Sequence, residues 1–356
     1  MEGLNIYKGK KVLVTGHTGF KGAWLSIWLI RIGAKVIGFS LPESDNDYIY
    51  KRTGLGSAIF GDEKGNIRDY KQLKKVFDKY KPDFVFHLAA QPLVRLSYEL
   101  PLETFEANVI GTANVLECIR KSSSVKGAVL ITTDKCYKNK ETITPYKETD
   151  ELGGYDPYSS SKACAEIVIG SYSDAFFRNS DILIASARAG NVLGGGDFGR
   201  DRLVPDCINS LIRSEQIKIR NPDAVRPWQY ILDVLYGYML LGKRLLEGKK
   251  EFAEPWNFGP EQRSIVPVRK IADLMVKEWG SGSWQDCSNS KEKKHEAKLL
   301  NLDITKAKKK LGWKPKLTID ENIKQTVRWY RNERALGKGD VLNLCYSEIA
   351  MYEKKR

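Results

Sequence analysis

A tyrosine and a lysine four residues apart, Tyr158 and Lys162 in PYSSSK, are the pair in this chain best suited to moving a proton. On a helix the positions i and i+4 share one face, and Pro157 suits a first helical turn. An ammonium beside a phenol lowers the phenol pKa from about 10, so Tyr158 could take a proton from an alcohol as hydride leaves its carbon. Alone, that spacing also describes an ordinary surface pair. Some 140 residues upstream stands Thr15-Gly16-His17-Thr18-Gly19-Phe20-Lys21-Gly22, a GxxGxxG directly after the apolar run KVLVT. Glycines let the backbone turn tightly and approach a pyrophosphate, which then sits on the positive end of the following helix. A turn of purely structural purpose would use the same residues, but a strand before it and a helix after it favour a dinucleotide. Together, the loop and the pair point to hydride chemistry.

Thr132-Thr133-Asp134-Lys135 ends the run AVLIT. Ligands of open α/β sheets bind at strand carboxyl ends, where a hydroxyl could hold substrate or orient Tyr158. Asp134 and Lys135 add an acid and a base that simple hydride transfer does not require; read as residues alone, they are equally a solvated turn. NAD is favoured over NADP only because no arginine near Ser40, the end of the second strand, could hold a 2′-phosphate. The acidic residue that often holds the ribose is also missing there. Asp62 and Asn66 could serve the ribose or adenine, or could be loop residues.

The elements that must position these groups follow from apolar runs. Segments 11–15, 35–39, 83–88, 128–132 and 181–186 read as strands buried on both faces, the pattern of a parallel sheet. Helical stretches lie between them at 20–32, 69–80, 103–121 and 157–178. This alternation predicts an α/β fold with a Rossmann-type, doubly wound parallel sheet. After Arg188 come a glycine-rich loop, an Arg- and Pro-rich loop and helices near 203–214, 231–247, 266–279 and 319–335. These predict a smaller C-terminal substrate-binding domain, built from about 188–227 plus 251–356. The cofactor domain then takes 1–187 plus about 228–250.

Composition narrows the classes. The chain has 356 residues, 42% hydrophobic, which suffices for a full core and excludes a mainly disordered chain. No run of 18 apolar residues occurs and the N-terminus lacks a signal-peptide stretch, so a cytoplasmic protein is expected. Six cysteines without a CxxC pair and three scattered histidines give no metal site. The net charge of +14 is concentrated in 291–356, where 18 basic residues face 9 acidic ones. The basic runs there, KEKKHEAK and KAKKK, alternate with apolar Leu302, Ile304, Ala307 and Leu311, which describes a solvated helix face better than a nucleic-acid surface.

The segments GHTGFKG, HLAAQPLVRLSYE, TTDKCY, GGYDPYSSSK, RAGNVLGGGDF, DRLVPD, RNPDAVRPWQ and WNFGP together resemble the extended short-chain dehydrogenase/reductases, from about Lys8 to the last helices. More narrowly, the chain is similar to nucleotide-sugar 4,6-dehydratases. TDK in place of TDE, with RNPxxxRPW, resembles their CDP-sugar branch. The resemblance implies a tightly held NAD, CDP-glucose as substrate and CDP-4-dehydro-6-deoxyglucose as product, a step of deoxysugar biosynthesis. It implies a cofactor site of Gly16, Thr18, Gly19, Phe20, Gly22, Asp62, Leu88, Ala89, Ala90, Tyr158 and Lys162. Tyr158 would remove the C4 hydroxyl proton and Thr133 would bond that oxygen. Asp134 would be the acid at the C6 hydroxyl and Lys135 the base at C5. Gln91, Arg95, Asn191, Arg202, Arg220 and Arg226 would hold the substrate, arginine suiting a pyrophosphate through its planar donors. Ser97 would face the same strand ends, and Asn108 would hold a water or pack as a helix polar residue. Asn66 departs from the Asp commoner at the adenine contact.

Two rivals share much of this pattern. A nucleotide-sugar 4-epimerase needs the loop and Tyr158–Lys162 but no acid and base after Thr133, and an idle NAD-binding scaffold would be expected to lose Tyr158 or Lys162. A homodimer at least is expected, because Val109, Leu116, Ala163, Ile167 and Val168 make the helices 103–121 and 157–178 apolar on more than one side.

Overall fold

Seven short strands pair in parallel into one sheet, in the order Trp256–Phe258, Leu183–Ala189, Gly127–Ile131, Phe84–His87, Lys11–Thr15, Lys35–Ser40 and Gly61–Lys64. A computed structural model describes residues 3–44, 48–199, 202–288, 300–337 and 340–355. The strands are β1 Lys11–Thr15, β2 Lys35–Ser40, β3 Gly61–Lys64, β4 Phe84–His87, β5 Gly127–Ile131 and β6 Leu183–Ala189, then β7 Asn191–Leu193, β8 Ile217–Ile219, β9 Val225–Tyr230, β10 Trp256–Phe258, β11 Ile265–Pro267 and β12 Trp284–Asp286. Helices α1 Phe20–Arg31, α2 Tyr48–Thr53, α3 Leu55–Ala58, α4 Tyr70–Tyr80, α5 Val94–Glu99, α6 Pro101–Phe105, α7 Gly111–Lys121 and α8 Pro157–Tyr172 belong to the first half of the chain. Helices α9 Leu203–Ile212, α10 Ile231–Leu246, α11 Val268–Trp279, α12 Ile319–Arg334 and α13 Asp340–Lys354 follow.

Side chains alternate across a strand, and the core divides accordingly. Val12, Val14, Val36, Phe84, Phe86 and Val129 pack with apolar residues of α1 and α10. Leu13, Ile37, Val85 and Leu130 pack on the other face with Leu73, Phe77, Val115, Ile119 and Ile169, from α4, α7 and α8. Both faces are covered, so the strands are apolar throughout rather than alternating. Strand order reverses between β1 and β4, which opens a crevice where the loops after these strands diverge.

Several boundaries move. Strand β3, GDEK, has no apolar residue to announce it and exists through pairing with β2 (Ile37↔Gly61 to Ser40↔Lys64). The strand expected third is therefore fourth. Helix 103–121 is α6 and α7 joined by a π-turn over Glu106–Ile110, and helix 157–178 is α8 extended by a π-turn over Ser173–Phe177. Trp256–Phe258, expected in the C-terminal domain, joins the large sheet beside β6. The last helix, α13, returns to the cofactor half, where Trp28 Nε1 donates to Glu353 Oε1 at 3.1 Å. Three residues are too few to show a sheet preference, and the docking of α13 is a tertiary choice.

Beyond the main sheet, β11-β9-β7 and β12-β8 form two small sheets with α9, α11 and α12 around them. In KAKKK and the leucine after it, Ala307 and Leu311 are buried while Lys308 pairs with Glu261 at 2.8 Å; KEKKHEAK lies outside the described residues. Among the described residues no helix is long and apolar enough to cross a membrane. Leu116 and Ala163, expected on an outer helix face, are buried within the subunit; the outward apolar residues are Leu102, Ile110, Ile167 and Phe176.

Candidate active site

The glycine loop takes its shape from two contacts that admit no side chain. Gly16 has φ 75°, and a Cβ there would stand 2.7 Å from the Ala89 amide nitrogen. At Gly22 a Cβ would stand 2.1 Å from the Gly16 carbonyl oxygen. The loop thereby presses against the chain after β4 and turns straight into α1. Gly19 caps α1 without any side-chain hydrogen bond, so the first-turn N–H groups remain for an anion. A cavity of about 1150 Å³ opens over them. Gly16, Thr18, Gly19, Phe20, Gly22, Leu88, Ala89 and Ala90 line it, with Ser40 and Asn66 farther along. A cradle with no room for a Cβ and an uncapped helix end fits a dinucleotide pyrophosphate.

Two expected cofactor residues stand back from the cavity. Asp62 accepts from His17 Nε2 at 2.8 Å, from the Tyr50 hydroxyl at 2.5 Å and from Lys64 at 3.0 Å. Its carboxylate braces the loop from behind, and it does not line the cavity. Lys162 also lies beneath the lining, with Nζ donating to the Ile131 carbonyl at 3.3 Å. Asn66 accepts from its neighbour Arg68 N at 3.0 Å.

Asp156 starts α8 by accepting from Ser159 N at 2.9 Å and Ser159 Oγ at 2.7 Å, which fixes the turn carrying Tyr158. That tyrosine lines the cavity beside Thr133 and Lys135. Burial holds its phenol up at about 12, opposed by a hydrogen bond with Thr133. The expectation of a phenol lowered by Lys162 is thus not met: desolvation outweighs every nearby cation. Lys162 itself is brought down to about 8 by burial, partly offset by Glu166.

Asp134 and Lys135 form an ion pair but face the cavity differently. Lys135 lines the cavity, whereas Asp134 is 1% exposed and lies behind it. Asp134 Oδ1 accepts from Thr133 Oγ1 at 2.9 Å and Lys135 Nζ at 3.3 Å. Its Oδ2 is buried without a partner. Gly190 keeps that oxygen clear of side chains, since a Cβ there would come within 2.9 Å of it.

The cavity lining also gathers Gln91, Arg95, Asn191, Arg202, Arg220 and Arg226 from separate segments of the chain. Asn191 Oδ1 is buried and unpartnered, ready for a donor. Gln91 is partly spent: Nε2 donates to Thr104 Oγ1 at 2.9 Å and to the Leu93 carbonyl at 3.1 Å. Ser97 is buried with its hydroxyl on the Val94 carbonyl, so it leaves the substrate set. Asn108, turned inward by the π-turn, bonds Gln91 N at 2.8 Å and Ser161 Oγ at 2.8 Å. It is a packed clamp, the second of its two sequence readings. Sequence reasoning missed Lys21 and Asp197, which also line the cavity. Enclosure, then Lys162 and Arg202, lowers Lys21 to about 8, and Asp197 accepts from Arg202 Nη1 at 3.0 Å. A cation between two loop glycines at a helix start was the available signal for Lys21; nothing local marked Asp197.

Comparison with known proteins follows the same outline. A curated CDP-glucose 4,6-dehydratase of Salmonella typhimurium is 42% identical over 355 residues, covering 98% of this chain and 97% of that protein. A UDP-glucuronate 4-epimerase of Thermodesulfobacterium geofontis is 29% identical, covering 92% and 98%. Among solved structures, a UDP-glucose 4-epimerase of Thermotoga maritima superposes with a TM-score of 0.75 at 25% identity, covering 90% of this chain and 99% of that one. DesIV, a dTDP-glucose 4,6-dehydratase of Streptomyces venezuelae, gives 0.77 at 24%, covering 91% and 98%, and shares the fold. The sequence model of the GDP-mannose 4,6 dehydratase family matches residues 13–326. Matched over most of its length by that model and nearly end to end by a dehydratase, this chain belongs to the GDP-mannose 4,6 dehydratase family.

Proposed function

We propose that this chain converts CDP-glucose to CDP-4-dehydro-6-deoxyglucose with a retained NAD. One observation carries the reading: a single cavity is lined by the glycine loop, Tyr158, Lys135, Arg220 and Arg226 together. The Salmonella relative supports CDP-glucose among nucleotide sugars. Gly16, Gly19, Gly22 and the start of α1 would hold the NAD pyrophosphate, and the bound cofactor would accept hydride from C4 and return it to C6.

The chain's own groups do the rest. Tyr158 takes the C4 hydroxyl proton while Thr133 holds that oxygen, and Lys162 beneath them stabilises the phenolate. The C4 ketone makes the C5 proton acidic. Lys135, at the cavity wall, takes it, and Asp134 delivers a proton to the departing C6 oxygen past Gly190. Arg202, Arg220 and Arg226 neutralise the substrate pyrophosphate, with Asn191 beside them. A 4-epimerase would need no base after Thr133; a lysine at that point of the wall favours the dehydratase.

Three further assignments belong to this reading. A cofactor part of 1–187 plus about 228–250 and a nucleotide-sugar part of about 188–227 plus 251–356 divide the work, with Trp256–Phe258 on the cofactor side. Two subunits pair through the helices bearing Leu102, Ile110 and Ile167. Six free cysteines suit a reducing compartment and hence the cytoplasm. Incubation with CDP-glucose should generate the alkali-induced absorbance of a 4-keto sugar; no such product from CDP-glucose, with product from another nucleotide sugar, would overturn the substrate.

A further inference from the structure

Behind the site lies a charged pair that the reaction as described does not use. Tyr158, Lys162 and Glu166 follow each other at intervals of four along α8, so phenol, ammonium and carboxylate stack on one face. The Glu166 and Arg188 side chains are 1% and 3% exposed and meet at 2.7 Å. Burying two charges is costly unless their hydrogen bonds are satisfied, and here nearly all are. Glu166 accepts from the Thr132 hydroxyl through a short bond, from Ser186 Oγ at 2.8 Å and from Arg188 Nη2. Arg188 Nη1 donates to the Tyr137 hydroxyl at 2.7 Å and the Glu148 carbonyl at 3.0 Å. One carboxylate therefore ties three things: the residue preceding Thr133, strand β6, and the helix carrying Tyr158 and Lys162.

We propose that Glu166, braced by Arg188, is a positioning residue of the reaction, holding Thr132–Thr133 against Tyr158 and keeping Lys162 charged. A salt bridge serving stability alone needs no hydroxyl from the catalytic strand end, nor a place one turn from the active lysine. The other groups facing Lys162 cannot replace that carboxylate. Cys136, on the loop after β5, is buried with its thiol pushed up and so neutral. His87 of β4 is held neutral, at about 3, by burial and by Lys162 itself. Lys21 of α1 carries the same sign as Lys162, and burial raises the Tyr158 phenol on the same helix, keeping it neutral. Glu166 offsets the desolvation of the ammonium.

This inference rests on the dehydratase reading for its effect on turnover, so its test includes a measurement made without substrate. The Cε resonance of Lys162, assigned by its loss in Lys162→Met, is titrated in substrate-free wild type and Glu166→Gln. The midpoint should fall by about one pH unit, the low end of what a nearby opposite charge contributes. The alkaline limb of kcat should move down with it, while KM for CDP-glucose changes little. Thr132→Val, which removes the hydroxyl tie and leaves the charges paired, should lower kcat about tenfold without moving that limb. It carries the test should Glu166→Gln not fold. An unmoved Lys162 midpoint in folded Glu166→Gln, or full turnover in Thr132→Val, overturns the proposal. If wild type has no activity on CDP-glucose, the activity reading fails, and the titration still decides the place of Glu166.

Discussion

Lys135 is the side chain on which the proposed chemistry turns, because it alone of the acid–base pair lines the cavity. Lys135→Met should leave C4 oxidation intact, since that half uses Tyr158, Thr133 and Lys162, and should stall elimination. Turnover should drop about a hundred- to ten-thousand-fold, the range of a general base, and solvent deuterium should no longer enter C5 of recovered sugar. Near-normal turnover would make Lys135 a spectator. His87 makes a separate prediction for stability. Its Nδ1 bonds Thr15 Oγ1 at 2.7 Å and its Nε2 bonds Thr112 Oγ1 at 3.1 Å, and burial depresses its folded-state pKa to about 3. The unfolded state binds the proton first, at about 6.5, so this contribution is whole above pH 6.5 and is lost as pH falls toward 3. At pH 5 the loss is about 2 kcal/mol. Urea midpoints at pH 7 and pH 5 should therefore differ more in wild type than in His87→Gln; equal differences would refute it.

At the scale of elements, the meeting of β1, the glycine loop and α1 is the part least able to give way. The clash awaiting a Cβ at Gly22 is with the backbone carbonyl of Gly16, 2.1 Å off, not with a flexible side chain. Gly22→Ala must lever the loop away from the chain after β4. It should cost about 1–3 kcal/mol of stability and weaken retention of NAD more than affinity for CDP-glucose. Cofactor released on denaturation, measured against wild type, checks this; wild-type occupancy would mean the loop has slack.

For the whole molecule, the pairing surface is the open question that solution mass can answer. The helix running 101–121 and α8 leave Leu102 at 78%, Ile110 at 52% and Ile167 at 59% exposure, apolar side chains that a partner subunit would cover. Light scattering should give a dimer for wild type and a monomer for Ile167→Asp. A wild-type monomer at micromolar concentration would contradict the pairing.

How much of this could be read from the chain depends on where each signal resides. Strand and helix patterns, the glycine loop and the Tyr158–Lys162 spacing are local, so β1, β2, β4, β5, β6 and the longer helices α1, α4, α7 and α8 are legible from periodicity, while the short α2, α3 and α5 are not. Strand β3 is polar and β10 is three residues long, so pairing partners alone make them strands. The same limit governs the site. Thr133 and Tyr158 lie near motifs that announce them, but whether Asp62 faces the cavity or His17, and whether Asp134 stands before or behind Lys135, depends on side-chain packing. Lys21, Asp197 and the Glu166–Arg188 pair become meaningful only when α1, α8, β6 and the loop after β7 converge. Sequence by itself determined which chemistry the chain carries, because residue type and short spacing encode it. Tertiary structure decided which carboxylates and amines touch the cavity, because burial and orientation arise from contacts between segments far apart in the chain.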